Sequence, residues 1–199
     1  MENGRPVIAF TNGKGEPKKL DVNRCIEEFG PGGSMNANFT SDRDRNDFLF
    51  ACPRTPLAPI IFSFEYDQGI SGSNFVNSDG IQFAYQSVYK DGSVSAISPY
   101  SDLAIPPAIM GLGSKTLGEA IVENVCLLSI PVQGSEVDFV KLIYREGNDG
   151  VPFVFDKIST DSTSFNSNFI YTGGTYLGIY SFRNDITGVI LSETDRFKT

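Results

Sequence analysis

Residues 81–107, IQFAYQSVYKDGSVSAISPYSDLAIPP, constrain the fold most, because they spell out a strand, a tight reversal and a returning strand. Ile81, Phe83, Tyr85, Ser87 and Tyr89 fall on one face of an extended chain, and Gln82, Ala84, Gln86 and Val88 fall on the other. Asp91 and Gly92 suit a reversal that needs positive φ, and residues 93–98 read as a short strand rich in Ser and β-branched side chains. Nothing in the stretch is chemically reactive, so it reads as scaffold.

Sixteen Phe, eight Tyr, twenty Gly and eleven Pro, with no Trp, describe aromatic-rich strands broken by frequent turns. The chain of 199 residues has room for one large core or two small ones, since all-β units commonly close at about 100 residues. A formal charge of −8 argues against a surface that grips nucleic acid, which needs clustered Lys and Arg. An acidic wall beside which DNA passes without binding is compatible with that charge.

The absence of His removes Ser-His-Asp and Cys-His catalysis. Cys25, Cys52 and Cys126 are odd in number and widely spaced, so they imply neither a disulfide framework nor a zinc site, and Cys126 in NVCLLSI reads as a buried thiol. No apolar run approaches the roughly 20 residues needed to span a bilayer, so no membrane span is expected.

The alternation divides the chain into five stretches. Residues 1–22 read as a β-hairpin, with Val7–Phe10 turning at Asn12 and Gly13 and returning over residues 19–22; alone it is marginal and needs a larger sheet. Residues 23–56 read as an extended connector through Pro31, Pro53 and Pro56, whose apolar cluster FLFAC at 48–52 favours docking onto a partner. Residues 57–107 form a first β-sandwich module, in which Ile60, Phe62, Phe64 and Tyr66 share a face. Residues 108–121 are a linker with a short helix capped by Ser114. Residues 122–199 read as a second sandwich-like module, expected to be truncated; AYQSVYKDG at 84–92 and VKLIYREGNDG at 140–150 both end an aromatic strand at a Gly-containing turn, which suits a repeated design. The expected fold is mainly β: tandem immunoglobulin- or fibronectin-like sandwiches behind a hairpin and a connector.

Motifs that carry chemistry fail on their spacing. GLGSKT at 111–116 resembles a phosphate loop, but Ser114 separates Gly113 from Lys115. DRDRND at 42–47 offers Asp42, Asp44 and Asp47, yet lacks the glycine and closing glutamate of a calcium loop and carries two arginines. Asn38 heads a formal glycosylation triplet without a secretory signal. Glu65, Asp67 and Glu136 lie near strand ends, where solvated acids are ordinary, so no acid–base pair stands out. The chain is therefore read as a non-enzyme with no catalytic, cofactor or metal residues. Tyr66, Tyr100, Tyr171, Tyr176 and Tyr180 are candidates for stacking on a sugar, although packing is the commoner use of such rings in a small sandwich.

The phrases TNGKGEPKKLDV, GIQFAYQSVYKDGSVSAISPYSDLAI, VDFVKLIYREGNDGVPFVFDKI and YSFRNDITGVILSETDR, in that order, resemble the tail nozzle or muzzle proteins of tailed bacteriophages, including the crAss-like group. The resemblance implies strand roles for Phe83, Tyr85, Tyr89, Ile97, Val140, Leu142, Tyr144, Phe182 and Val189, and turn roles for Asn12, Gly13, Gly92 and Gly150. It implies a virion tail location after assembly in the host cytoplasm, in a distal ring around the DNA-ejection route. The implied partners are copies of the chain, other tail proteins and the remainder of a longer polypeptide, with no sequence-specific nucleic acid. The alternative is a receptor- or carbohydrate-binding appendage of the virion.

Overall fold

A computed structural model describes residues 6–11, 17–30, 48–49, 55–69, 75, 80–105, 123–133, 136–160, 170–172, 175–185 and 188–191. Strand β1 (Val7–Phe10) pairs antiparallel with β2 (Lys18–Asp21), from Val7↔Asp21 to Phe10↔Lys18, as the hairpin reading expects. The turn assigned to Asn12 and Gly13 lies outside the described residues.

The connector expected from residue 23 begins instead as a helix, α1 (Val22–Phe29). The Asp21 carboxylate accepts from the Arg24 N–H at 3.0 Å, and Gly30, at φ 68°, ends the helix with its N–H on the Ile26 carbonyl at 2.9 Å. Val22, Cys25, Ile26 and Phe29 follow the i, i+3, i+4, i+7 spacing of a helical stripe. Eight residues are too few to hold a helix in isolation, so the element depends on its docking.

The remaining strands are β3 (Ile61–Glu65), β4 (Ile81–Tyr89), β5 (Val125–Gln133), β6 (Val137–Glu146), β7 (Phe153–Ser159), β8 (Ile170–Thr172), β9 (Thr175–Phe182) and β10 (Val189–Ile190). They build two four-stranded antiparallel sheets, ordered β10-β7-β6-β4 and β3-β5-β9-β8. A mainly β chain is thus observed. The division into tandem modules at 57–107 and 122–199 is not, because β3 pairs with β5 and β4 pairs with β6 across the expected boundary.

The two four-stranded sheets share one core. Ile81, Phe83 and Tyr85 of β4, and Val140 and Leu142 of β6, meet Cys126, Leu128, Ile130 and Val132 of β5 and Phe182 of β9 in a single buried cluster. The likeness between residues 84–92 and 140–150 has a different cause from duplication. It belongs to two neighbouring antiparallel strands, each ending in a turn, at opposite ends of one sheet.

Phe155 shows how register aims a side chain. Leu142 faces Asp156 and Ile143 faces Val154, so Phe155 is the extra residue of a β-bulge in β7. Its ring lies 5.0 Å from Phe182 and 6.4 Å from Phe83. Across the core, the Tyr85 hydroxyl donates to the carbonyl of Pro131. Pro131 has no N–H to give, and it stands beyond Ser129, where the β3 ladder ends.

The turn after β4 forms as expected. Gly92 takes φ 82° and its N–H reaches the Tyr89 carbonyl at 2.8 Å. At the other predicted turn it is Gly147 that carries positive φ, at 61°, whereas Gly150 permits a close approach: a Cβ there would stand 2.1 Å from the Glu146 carbonyl oxygen.

The strand expected over residues 93–98 is replaced by something else. After one bridge, Val88↔Val94, every third residue of the segment meets every second residue of β4. The N–H groups of Ser95, Ser98, Ser101 and Ala104 donate to the carbonyls of Ser87, Tyr85, Phe83 and Ile81 at 2.7–2.9 Å. In return, the N–H groups of Ser87, Tyr85 and Phe83 donate to the hydroxyls of Ser95, Ser98 and Ser101, each at 2.9 Å. Each serine hydroxyl in turn donates to the carbonyl of the next residue, at 2.7–3.0 Å. At Ala104, which has no hydroxyl, the Ile81 N–H goes to the backbone carbonyl at 3.2 Å.

A three-residue repeat thus advances by only two strand residues, about 6.8 Å, and the residues between contacts bow outward. Ile97 and Tyr100 lie over the outer face of the sheet, where they pack with Ala84, Ile143, Val154 and Leu191. Ile97 is therefore a lid on the sheet, not a strand residue. The outer edge of β4 is closed by this segment, which removes it as a template for pairing.

Candidate assembly surfaces

The residues singled out for chemistry do not converge. Cys126 is buried and burial pushes its thiol up to about 12, so it stays protonated at neutral pH. Burial, then the charge of Asp21, also raises Cys25. Cys52, Asn38, the 42–47 run, GLGSKT and the 108–121 helix lie outside the described residues.

Asp67 accepts from the Gly69 N–H at 2.8 Å and is clasped through its backbone by Asn124, next to Glu65 at the start of β5. Glu136 lies past the far end of β5, about 27 Å away at strand rise, where it is buried against Arg24. These carboxylates do not form an acid–base pair. Among the described residues, no group of three or more His, Cys, Asp or Glu side chains is placed to hold a metal ion, and no helix is long and apolar enough to cross a membrane.

The tyrosines are likewise dispersed. Tyr100 lies under the Arg145 guanidinium at 3.9 Å, and Tyr180 donates to the Asp156 carboxylate at 2.9 Å. Tyr66 is exposed at the end of β3, outside the core face shared by Ile60, Phe62 and Phe64. Tyr171 and Tyr176 sit on β8 and β9, and only their backbone is described.

Apolar side chains at the periphery are the more informative feature. The register pairs Ile8 with Leu20 and Ala9 with Lys19, so Ile8 and Phe10 share one face of the β1–β2 ribbon and Lys19 lies on the other. Lys19 reaches Asp91 of the sandwich at 2.7 Å. The face bearing Ile8 and Phe10 therefore points away from the sandwich, with those side chains 53% and 43% exposed. Ile26 on α1 is 51% exposed. Val189 and Ile190 on outermost β10, and Ile61 on outermost β3, are also exposed. Single exposed apolar residues are ordinary, but a pair on one face of a two-stranded ribbon is a surface that a partner can cover.

The ribbon is tied down by Asp91. Burial raises the Asp91 pKa, but hydrogen bonds from Lys19 and Ser93 and the charge of Lys19 outweigh it, and the net shift is downward. A carboxylate with a depressed folded-state pKa adds stability that is complete above its unfolded pKa and disappears as pH falls through the folded value. Equilibrium denaturation of the chain and of Asp91→Asn across an acid series should thus show a stability gap that is constant from neutral pH down to the ordinary aspartate range. Below it the gap closes, and a gap that widens with acid would refute the assignment.

No protein-family model matches the sequence, and no curated protein matches it. What the surfaces are for must be argued from the residues themselves.

Proposed function

We propose that this chain is a structural subunit of a phage tail nozzle or muzzle, helping to form a distal ring around the DNA-ejection channel, with its sandwich serving as an immunoglobulin- or fibronectin-like module. The observation that carries the reading is the ribbon face of Ile8 and Phe10, held out from the sandwich by the Lys19–Asp91 pair. An isolated monomer gains nothing by presenting such a face to water, whereas a ring subunit uses it against its neighbour. The acidic composition suits a channel wall that lets DNA pass without holding it. The phrase-by-phrase resemblance to nozzle and muzzle proteins supplies the setting.

Cryo-electron microscopy of intact particles tests the location. Density for this chain in a closed ring at the distal tail supports the proposal, and a peripheral attachment away from the channel would sink it. A variant tests the surface: Ile8→Asp with Phe10→Asp should leave thermal unfolding of the sandwich within about 0.5 kcal/mol, as exposed changes do. The same variant should abolish ring assembly in sedimentation. Normal assembly by this variant would remove the ribbon from the contact.

A further inference from the structure

We infer that residues 6–30, the β1–β2 ribbon with α1, form a latch that opens from the sandwich as a unit and is held shut by two charge pairs, Lys19 with Asp91 and Arg24 with Glu136. The inference concerns the free chain and does not depend on the proposed location in a phage tail.

Three observations support it. Both apolar clusters of the sandwich draw, among the described residues, only on residues 60–191, so neither takes a side chain from the ribbon or the helix. The joint is instead charged: Lys19 of β2 meets Asp91 at 2.7 Å, and Arg24 of α1 meets Glu136, with the four side chains largely shielded from solvent. The acids also share a platform, because the Lys90 N–H donates to the Glu136 carbonyl at 3.0 Å and so ties the turn after β4 to the turn before β6.

The latch has its own internal order. The Val22 N–H donates to the Pro6 carbonyl at 3.1 Å, and Asp21, which ends β2, caps α1. Arg24 lies over the Phe48 ring at 4.3 Å, and Phe29 packs edge-on against the same ring. With the Lys19 N–H donating to the Leu49 carbonyl at 2.8 Å, these contacts bind ribbon and helix to residues 48–49, which move with them when the latch leaves the sandwich. The groups facing Asp91 are the Lys19 ammonium from β2 and the Ser93 N–H and O–H from its own turn, and the charged group facing Glu136 is the Arg24 guanidinium from α1. Removing one member of such a pair leaves a shielded charge without its partner, which costs more than an exposed pair would.

Hydrogen exchange with mass spectrometry on the full 199-residue chain reads the latch directly. In Lys19→Glu/Arg24→Glu, amides of residues 18–29 should exchange at least about tenfold faster while those of β4, β5 and β6 keep their protection, the signature of local opening. Adding Asp91→Lys and Glu136→Lys rebuilds both pairs with reversed polarity and should restore slow exchange to the latch. The inference is overturned if the sandwich strands lose protection together with residues 18–29, if those residues are unaffected by the arm variant, or if the reversed pairs fail to restore them.

Discussion

Phe182→Ala should destabilise the chain by about 3–5 kcal/mol, the range for deleting a ring from a packed core, and should do so in one transition. Phe182 closes β9, and its ring centroid lies 5.0 Å from Phe83 of β4 and 5.0 Å from Phe155 of β7. It also lies 6.0 Å from Tyr144 of β6 and 6.1 Å from Phe75. Most of these contacts are edge-on or tilted, the arrangements in which ring quadrupoles attract. The substitution removes the member that joins one sheet to the other, and its neighbours are too constrained by their ladders to collapse into the space. Chemical denaturation followed by tyrosine fluorescence and by far-ultraviolet circular dichroism should give coincident curves. Two separated transitions, with residues 57–105 surviving the loss of residues 123–191, would restore the tandem-module reading and contradict the shared core.

Ser98→Ala should cost about 1–3 kcal/mol, far more than a serine-to-alanine change in a coil segment would suggest, because it strands a buried backbone donor. The Tyr85 N–H points at the Ser98 hydroxyl, and Tyr85 is fully buried, so water does not replace the lost acceptor. Ser63→Ala on the exposed face of β3 is the matched control and should stay within about 0.5 kcal/mol. Hydrogen exchange at the Tyr85 amide separates the mechanism from a general loosening. That amide should speed up more than the amide of Leu142, which sits opposite it on β6 and keeps its partners. Equal acceleration at both positions would show that the serine hydroxyl is not the acceptor that matters.

These two residues also mark how far the sequence can be read. Alternation over residues 81–89 placed β4 and its core face correctly, because a strand buried between partners has to alternate its large side chains to fill the core. The first hairpin was legible from a short apolar run, Val7–Phe10, followed by the turn-forming pair Asn12 and Gly13. The period of three at Ser95, Ser98, Ser101 and Ala104 is just as plain in the sequence, yet it matches neither the strand nor the helix template. Its meaning appears only when a strand edge with spare N–H groups lies beside it. The helix at Val22–Phe29 carried a full set of local signs, Asp21 before it, Gly30 after it and an apolar stripe between, which the charged and proline-rich neighbourhood outweighed. Arg24 and Glu136 stand 112 positions apart, and nothing local marks them as partners.

Residue order by itself determined that the chain is built mainly from antiparallel strands, where β4 and the first hairpin lie and where the main turns fall. It also determined that His-based chemistry is excluded. Those properties are local, set by side-chain alternation, by the conformational freedom of glycine and by residue type. The tertiary structure alone decided that β3 and β4 complete sheets with β5 and β6 in place of a separate module, that serine hydroxyls close the edge of β4, and that Lys19 and Arg24 fasten the ribbon with Ile8 and Phe10 facing outward. Strand pairing and charge pairing depend on which distant groups are brought together, and a strand's own sequence records the face it buries without recording its neighbour.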